Sequence, residues 1–345
     1  MVKVETVFCS TKRWVHKRRS RRHLYRRFAP PESWLNVVVR LLPIPIRPVG
    51  HLDDNMERDS PSLTANRVAM RRAAHQILDD PKVLDDPIAL KIIGVQIASE
   101  IRAAPEQFET SVSRYLRAFL VARSRYTEDE LSEAVKRGVG QYVILGAGLD
   151  TFAYRNQYPP SMLRIFEVDQ PATQTWKRER LDDAGIPIPQ SLTFVPFDFE
   201  RQTLADQLRK VGFSTEEPSF FSWLGVTMYL TREAVMTTMK YIASSTPSGS
   251  MIVFDYVIPP SSLSPARQLV FQALAQRVAA IGEPWQTFFD PHSLVAELRT
   301  MGFEQAEDIG PEELNRRFFN NRADKLSVGS LAHLMKAQLC TRIGP

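Results

Sequence analysis

From Gln141 onward, short apolar runs of strand length alternate with amphipathic stretches of helical length, the pattern of a parallel sheet with helices on both faces. The spacing predicts strands at Gln141–Leu145, Leu163–Val168, Leu192–Pro196, Phe220–Leu224 and Met251–Val257. Helices are expected at about Pro171–Ala184, Thr203–Val211 and Thr231–Ser244. Beyond Val257 a long helical insertion over Ser264–Ala280 and a helix over Pro291–Thr300 precede two closing strands, Gly302–Ile309 and Ala332–Leu339, so that seven strands are expected. Upstream the period is helical throughout. Ala65, Val68, Ala69, Arg72 and Ala73 share one face; a second helix is expected over about Pro87–Glu100. A third, Phe108–Arg123, aligns Val112, Tyr115, Leu116, Phe119 and Leu120.

The composition, 345 residues with 43% apolar and 24% charged, excludes wholesale disorder and fibrous repeats and leaves a folded, soluble α/β protein. The longest apolar stretch near the N-terminus, Trp34–Val49, is interrupted by Arg40, Arg47 and three prolines, so no membrane span is expected. Cys9 and Cys340 lie at opposite ends, and the six histidines are scattered, so neither a disulfide framework nor a metal site is expected, and a reducing cytoplasm fits best. The formal charge of +5 is uneven. Residues 1–55 hold 12 Lys and Arg against 4 Asp and Glu, a net of +8, whereas the remainder holds 32 against 35, a net of −3. The arm is expected to be a disordered extension, upstream of a body that opens at Met56 with a quite different composition; a nucleic-acid or membrane tether and a transit peptide are the alternatives. Residues 56–345 are expected to form one domain: a helical cover over 60–140, a cofactor-binding core over 141–257, and lid helices and closing strands over 258–345.

The chemistry concentrates at three strand ends. Val143-Ile144-Leu145-Gly146-Ala147-Gly148-Leu149-Asp150-Thr151 is a strand running into a Gly-x-Gly turn and then a helix, where glycine lets backbone and ligand approach closely and the helix N-terminus offers free N–H groups. A dinucleotide fingerprint would place a third glycine at 151; Thr151 stands there, which favours a ligand without a pyrophosphate. Asp169, at the end of the second strand, is placed to accept from ribose hydroxyls, and Asp198 with Phe199, after the third, to hold an adenine. Each acid could instead be a helix cap. Together they form the layout of an adenosine site.

The run VILGAGLDTFAYR (143–155), with EVDQP at 167–171, FDF at 197–199 and LGVTMYLTREA at 224–234, resembles the leucine carboxyl methyltransferase family and its bacterial branch of S-adenosyl-L-methionine-dependent methyltransferases. The resemblance covers roughly Ser60 to Leu339 and includes Asp86-Pro87 and the Arg123-x-Arg125 pair. It implies a class I, Rossmann-like methyltransferase fold with a mostly parallel sheet in the order 3-2-1-4-5-7-6, the last strand antiparallel, under a helical N-terminal cover. It further implies that Arg123, Gly146, Gly148, Asp169, Asp198 and Phe199 contact the cofactor, with Arg123 pairing the cofactor's carboxylate. One position departs: where the eukaryotic members carry a glutamate after the fourth strand, this chain has Leu224-Gly225.

Tyr229, Asp255 and Tyr256 fall at the ends of the fourth and fifth strands and are weak catalytic candidates, the tyrosines to shape or hydrogen-bond a small-molecule hydroxyl or carboxylate acceptor and Asp255 to act as a base; packing tyrosines and a turn-capping acid are the alternatives. Phe271, Trp285, Phe288 and Phe289 are expected to form an apolar lid or to pack in the core. The rival functions are an NAD(P)-dependent oxidoreductase on the same type of sheet and a non-catalytic nucleotide-binding protein, with nucleic acid an unlikely partner. The methyl acceptor and the oligomeric state are not legible.

Overall fold

The computed structural model describes residues 62–199 and 201–340; the basic arm expected over 1–55 lies outside them. Seven strands form one sheet: β1 (Gln141–Leu145), β2 (Arg164–Asp169), β3 (Leu192–Pro196), β4 (Ser219–Trp223), β5 (Met251–Val257), β6 (Gln305–Ile309) and β7 (Ala332–Gln338), in the order β3-β2-β1-β4-β5-β7-β6. The first five pair in parallel, and β7 is antiparallel to both β5 and β6. Both faces of the central strands are covered, so β1, β4 and β5 are buried at every residue and read as largely apolar runs, with Gln141, Ser219, Ser222 and Asp255 as their buried polar positions.

Alternate side chains go to opposite faces of the sheet. Val143, Leu145, Phe221, Trp223, Ile252 and Phe254 join one core with α7 (Leu204–Lys210), α8 (Arg232–Ser245) and α10 (Pro291–Met301). Tyr142, Ile144, Phe220, Met251 and Val253 join the other with α4 (Ser111–Lys136) and α11 (Pro311–Phe318). A third cluster binds the cover helices α1 (Leu63–Leu78), α2 (Pro87–Ile92) and α3 (Val95–Ala103) to α6 (Pro171–Asp183). Between β1 and β2 lies the four-residue α5 (Phe152–Arg155), and α9 (Pro265–Ala279) is the helix of the insertion.

Several boundaries differ from the sequence pattern. The helix expected over Pro87–Glu100 is two helices, because Gly94 turns at φ 87° and caps α3. The third cover helix starts at Ser111, capped by Thr110, and runs on to Lys136, thirteen residues past Arg123, with Leu131 and Ala134 still facing the core. The closing strand begins at Gln305, since Gly302 ends α10 in the left-handed conformation. Helix α11 lies in a stretch the pattern leaves unassigned; only Leu314 of its eight residues is fully buried, too little apolar signal to register.

Candidate functional site at the carboxyl ends of the central strands

The glycine turn is held from three sides. Gly146 N–H donates to the Val168 carbonyl (2.7 Å), carrying the β1–β2 pairing one residue beyond the strand. Gly146 and Gly148 have φ of 65° and 48°, which disfavour any side chain. A Cβ on Gly146 would lie 2.3 Å from Val226 Cγ2, and one on Gly148 3.2 Å from Ala65 of α1. In this structure the space these glycines leave is taken up by neighbouring side chains, so packing as well as ligand approach demands glycine there.

The helix expected after the turn is only α5, one turn long, and does not supply a run of free amides. Asp150 Oδ1 accepts from Phe152 N–H instead (2.8 Å). Thr151, where a dinucleotide site would carry glycine, is fully buried; its hydroxyl accepts from Arg72 Nη2 (2.8 Å) and donates to Asp86 Oδ2 (2.7 Å). Asp86 is also the N-cap of α2, accepting from Ala89 N–H, so one carboxylate ties the cover to the turn. Arg155 reaches the same group at 3.3 Å and pairs with Glu128 of α4. Sequence spacing does not reveal this network; Asp86-Pro87 reads only as a helix start.

Asp169 closes the turn from β2. Its Oδ2 accepts from Gly148 N–H (2.5 Å) and its Oδ1 from Gln170 N–H (2.7 Å). Burial raises its pKa, and these two N–H donors work against the rise. Pro196 pairs with Asp169 in register, which carries Asp198 and Phe199 to the next position along the same edge. Asp198 is half-buried with Arg201 Nε at 3.7 Å, and Phe199 stacks on Trp223 with centroids 5.5 Å apart and planes 18° off parallel.

Arg123 reaches the exits of β4 and β5 from α4. Its Nη1 donates to Asp255 Oδ2 (2.5 Å), its guanidinium lies 5.9 Å over the Phe119 ring, and its buried Nε has no hydrogen-bond partner among the described residues. Asp255, fully buried, accepts with its other oxygen from Gly225 N–H (2.5 Å). Gly225, at φ 77°, leaves room for this: a Cβ there would stand 2.9 Å from Arg123 Nη2. With both oxygens engaged, Asp255 caps the turn and orients the arginine.

The two tyrosines part company. Tyr256 points to the opposite face of β5, where its hydroxyl donates to Asp308 Oδ1 (2.6 Å) beside His333. Tyr229, in a 3-10 turn over Thr227–Tyr229, is half-buried among Thr64, Trp285, Glu283 and Arg123. Burial raises its pKa, so it stays a phenol at neutral pH. The insertion folds over it: Gln286 N–H donates to Met228 O (2.7 Å), Thr287 Oγ1 to Leu230 O (2.6 Å), and Glu283 accepts from Thr64 N–H at the start of α1 (3.1 Å). Phe271 packs on Trp285 and Phe288, each with centroids at 5.4 Å.

A turn with a carboxylate at its back, an aromatic face beside a second carboxylate, and an arginine with an unmatched Nε fit the parts of S-adenosyl-L-methionine: ribose, adenine and amino-acid carboxylate. Residues 65–243 match the model of the leucine carboxyl methyltransferase family. The chain belongs to this family. YktD of Bacillus subtilis (strain 168), named as a proposed S-adenosyl-L-methionine-dependent methyltransferase, is 34% identical over 302 residues, covering 82% of this chain and 99% of that protein. A protein of Mycobacterium avium (strain 104) with the same description is 31% identical over 199 residues, 56% of this chain and 65% of its own length. Among solved structures, a proposed methyltransferase from Thermobifida fusca YX aligns over 82% of this chain and 97% of its own, at 14% identity and a TM-score of 0.48. The family match spans α1 to within two residues of the end of α8 and so takes in every cofactor candidate named above. Among the described residues no group of His, Cys, Asp and Glu could hold a metal ion, and no helix is long and apolar enough to cross a membrane.

Proposed function

We propose that the protein transfers the methyl group of S-adenosyl-L-methionine to an oxygen, a hydroxyl or a carboxylate, of a small molecule. That it is an S-adenosyl-L-methionine-dependent methyltransferase follows from the family; the oxygen acceptor, its small size and a cytoplasmic setting are the further reading. The observation that carries it is the junction of Gly148 N–H with Asp169 opposite the Arg123–Asp255 pair, four groups from four separate elements gathered at the carboxyl edge of the sheet. Thr151 speaks against the dinucleotide rival, since its buried hydroxyl is committed to Arg72 and Asp86 where that ligand needs an open glycine.

Bound here, S-adenosyl-L-methionine supplies an electrophilic methyl carbon on a sulfonium. The chain has the simpler task of binding, aligning and excluding water. Asp169 accepts from ribose hydroxyls on the lone pairs its backbone donors leave open; Asp198 and Phe199 hold the adenine by its amino group and its face. Arg123, set by Asp255, pairs with the amino-acid carboxylate. Tyr229, protonated under the lid, offers the acceptor a hydrogen bond rather than a base. A carboxylate acceptor needs no base; a hydroxyl needs one from the acceptor's own acidity or from water. Calorimetric titration tests the core of this: S-adenosyl-L-methionine binds and NAD does not, and Asp169→Ala weakens the former by about 1–3 kcal/mol, roughly five- to a hundred-fold. An unchanged dissociation constant would reduce Asp169 to a turn cap.

A further inference from the structure

Residues 149–151 have little regular structure of their own. Asp150 N–H donates to the Ala147 carbonyl (2.7 Å), and the helix that follows, α5, is a single turn. What holds these residues comes from the cover. Arg72 of α1 donates through Nη2 to the Leu149 carbonyl (3.3 Å) and to Thr151 Oγ1 (2.8 Å), and its Nη1 lies 3.8 Å from Asp150 Oδ2. Three consecutive residues of the turn thus face one arginine, which precedes the first of them by 77 positions.

The Thr151 hydroxyl has one hydrogen to give and two lone pairs to fill, and all three are engaged. It donates to Asp86 Oδ2 (2.7 Å) and accepts from Arg72 Nη2 (2.8 Å) and from Arg155 Nε (3.2 Å). Asp86 accepts in addition from Arg72 Nη2 (2.9 Å) and, at Oδ1, from Ala89 N–H (3.1 Å). Asp86 and Thr151 are fully buried and Arg72 nearly so. A buried ion pair adds little net stability, because lost hydration offsets most of the attraction, so what this one supplies is a single permitted geometry. That geometry passes to the glycine turn. Gly148, directly before Leu149, gives its N–H to Asp169 Oδ2 (2.5 Å), so the turn is clamped between the cover on one side and β2 on the other.

We propose that Arg72, Asp86 and Thr151 are positioning residues for S-adenosyl-L-methionine. They act through the turn and not by contact with the cofactor: they hold residues 149–151 so that Gly148 keeps its place opposite Asp169, and the helical cover is thereby a working part of the cofactor site. A third glycine at 151 would free the segment that the threonine hydroxyl fixes. The inference rests on the proposed placing of the cofactor at this turn.

The test titrates S-adenosyl-L-methionine by calorimetry into the full chain, unaltered and as Thr151→Ser, Thr151→Val and Arg72→Lys, with the Tm of each measured alongside. Thr151→Ser keeps the hydroxyl and is expected to bind within about two-fold of the unaltered chain. Thr151→Val keeps the shape but leaves Arg72, Arg155 and Asp86 each short of one partner, and is expected to bind about ten-fold or more weakly. Arg72→Lys keeps the charge facing Asp86 but not the fork that reaches the turn; it is expected to weaken binding to a similar extent, and carries the comparison should Thr151→Val not fold. A lower Tm in these two variants with unchanged affinity would make the network structural only and overturn the proposal. Amide exchange in the ligand-free proteins reads the turn directly. Residues 147–152 are expected to exchange faster in Thr151→Val than in Thr151→Ser while β4 and β5 do not, and equal rates at the turn would also overturn it. Absence of binding to the unaltered chain, or binding unmoved by Asp169→Ala, would instead sink the placing of the cofactor at the turn, on which the exchange result does not depend.

Discussion

Asp79 and Glu167 are both buried carboxylates, and their environments drive them in opposite directions. At Asp79 burial alone would raise the pKa, but hydrogen bonds from His75 and Arg117 prevail and hold it at about 2. Its folded value lies below the unfolded one, so its stabilisation is complete above about pH 4 and is lost as pH falls through about 2. At Glu167 burial prevails over Lys177, 2.6 Å away, and raises the pKa to about 7; its second oxygen has no partner among the described residues. Its contribution is therefore complete below about pH 4.5 and is lost as pH rises through about 7. Thermal unfolding measured from pH 5 to 8 is expected to show Tm falling less steeply in Glu167→Gln than in the unaltered chain, and parallel slopes would remove Glu167 from the account. Asp79→Asn, which leaves the buried Arg117 with Glu109 as its remaining carboxylate partner, is expected to lose about 1–3 kcal/mol at neutral pH, read by denaturant unfolding.

Elements set where these side chains can reach. Helix α4 has to extend past Arg123 to Lys136 so that its middle, where Arg117, Ala118, Val121, Ala122 and Arg123 are buried, lies against the sheet. The turn after β4 must then pass close beneath the guanidinium, which Gly225 permits. Gly225→Ala puts a Cβ 2.9 Å from Arg123 Nη2 at a φ of 77°, a strain of about 1–2 kcal/mol before any displacement. We expect a lower Tm together with weaker S-adenosyl-L-methionine binding, both read on one preparation; an unaltered affinity would separate Arg123 from the cofactor. Gly148 behaves similarly. A Cβ there would stand 3.2 Å from Ala65 of α1 at a φ of 48°, so Gly148→Ala is expected to loosen the cover as well as to weaken the cofactor binding proposed for this turn.

The whole molecule is graded in stability from the middle of the sheet outward. Strands β1, β4 and β5 are buried at every residue, whereas β6, at the edge, exposes Gln305 and Glu307. Amide exchange followed by mass spectrometry is expected to be slowest in β1, β4 and β5, at the rate of global unfolding, and faster in β6 and in α9, where only Phe271 and Leu274 are fully buried. Uniform protection across all seven strands would contradict this gradient. The site lies where the gradient changes, with a rigid sheet edge beneath and the sparsely buried lid helix above, which suits a cleft that must admit two ligands and then exclude water.

What the sequence determined by itself was the alternation. Central strands buried on both faces are legible because nearly every residue is apolar, and the strands and the glycine turn could be placed from the chain alone, as could Asp169 and Asp198 at the ends of adjacent runs. The family motifs lie in that same local stretch. What only tertiary structure decided was pairing across distance. Asp255 meets Arg123 132 residues away, Glu283 meets Thr64 219 residues away, and Thr151 meets Asp86 65 residues away. A hydrogen bond between two polar side chains leaves no period in either segment. Asp255 in an apolar strand could therefore be read as a base or as a cap, and only the arginine brought against it by α4 settled its geometry. Helix α11 went unassigned for the same reason in reverse, since a helix resting on one buried leucine has its place fixed by what it packs against.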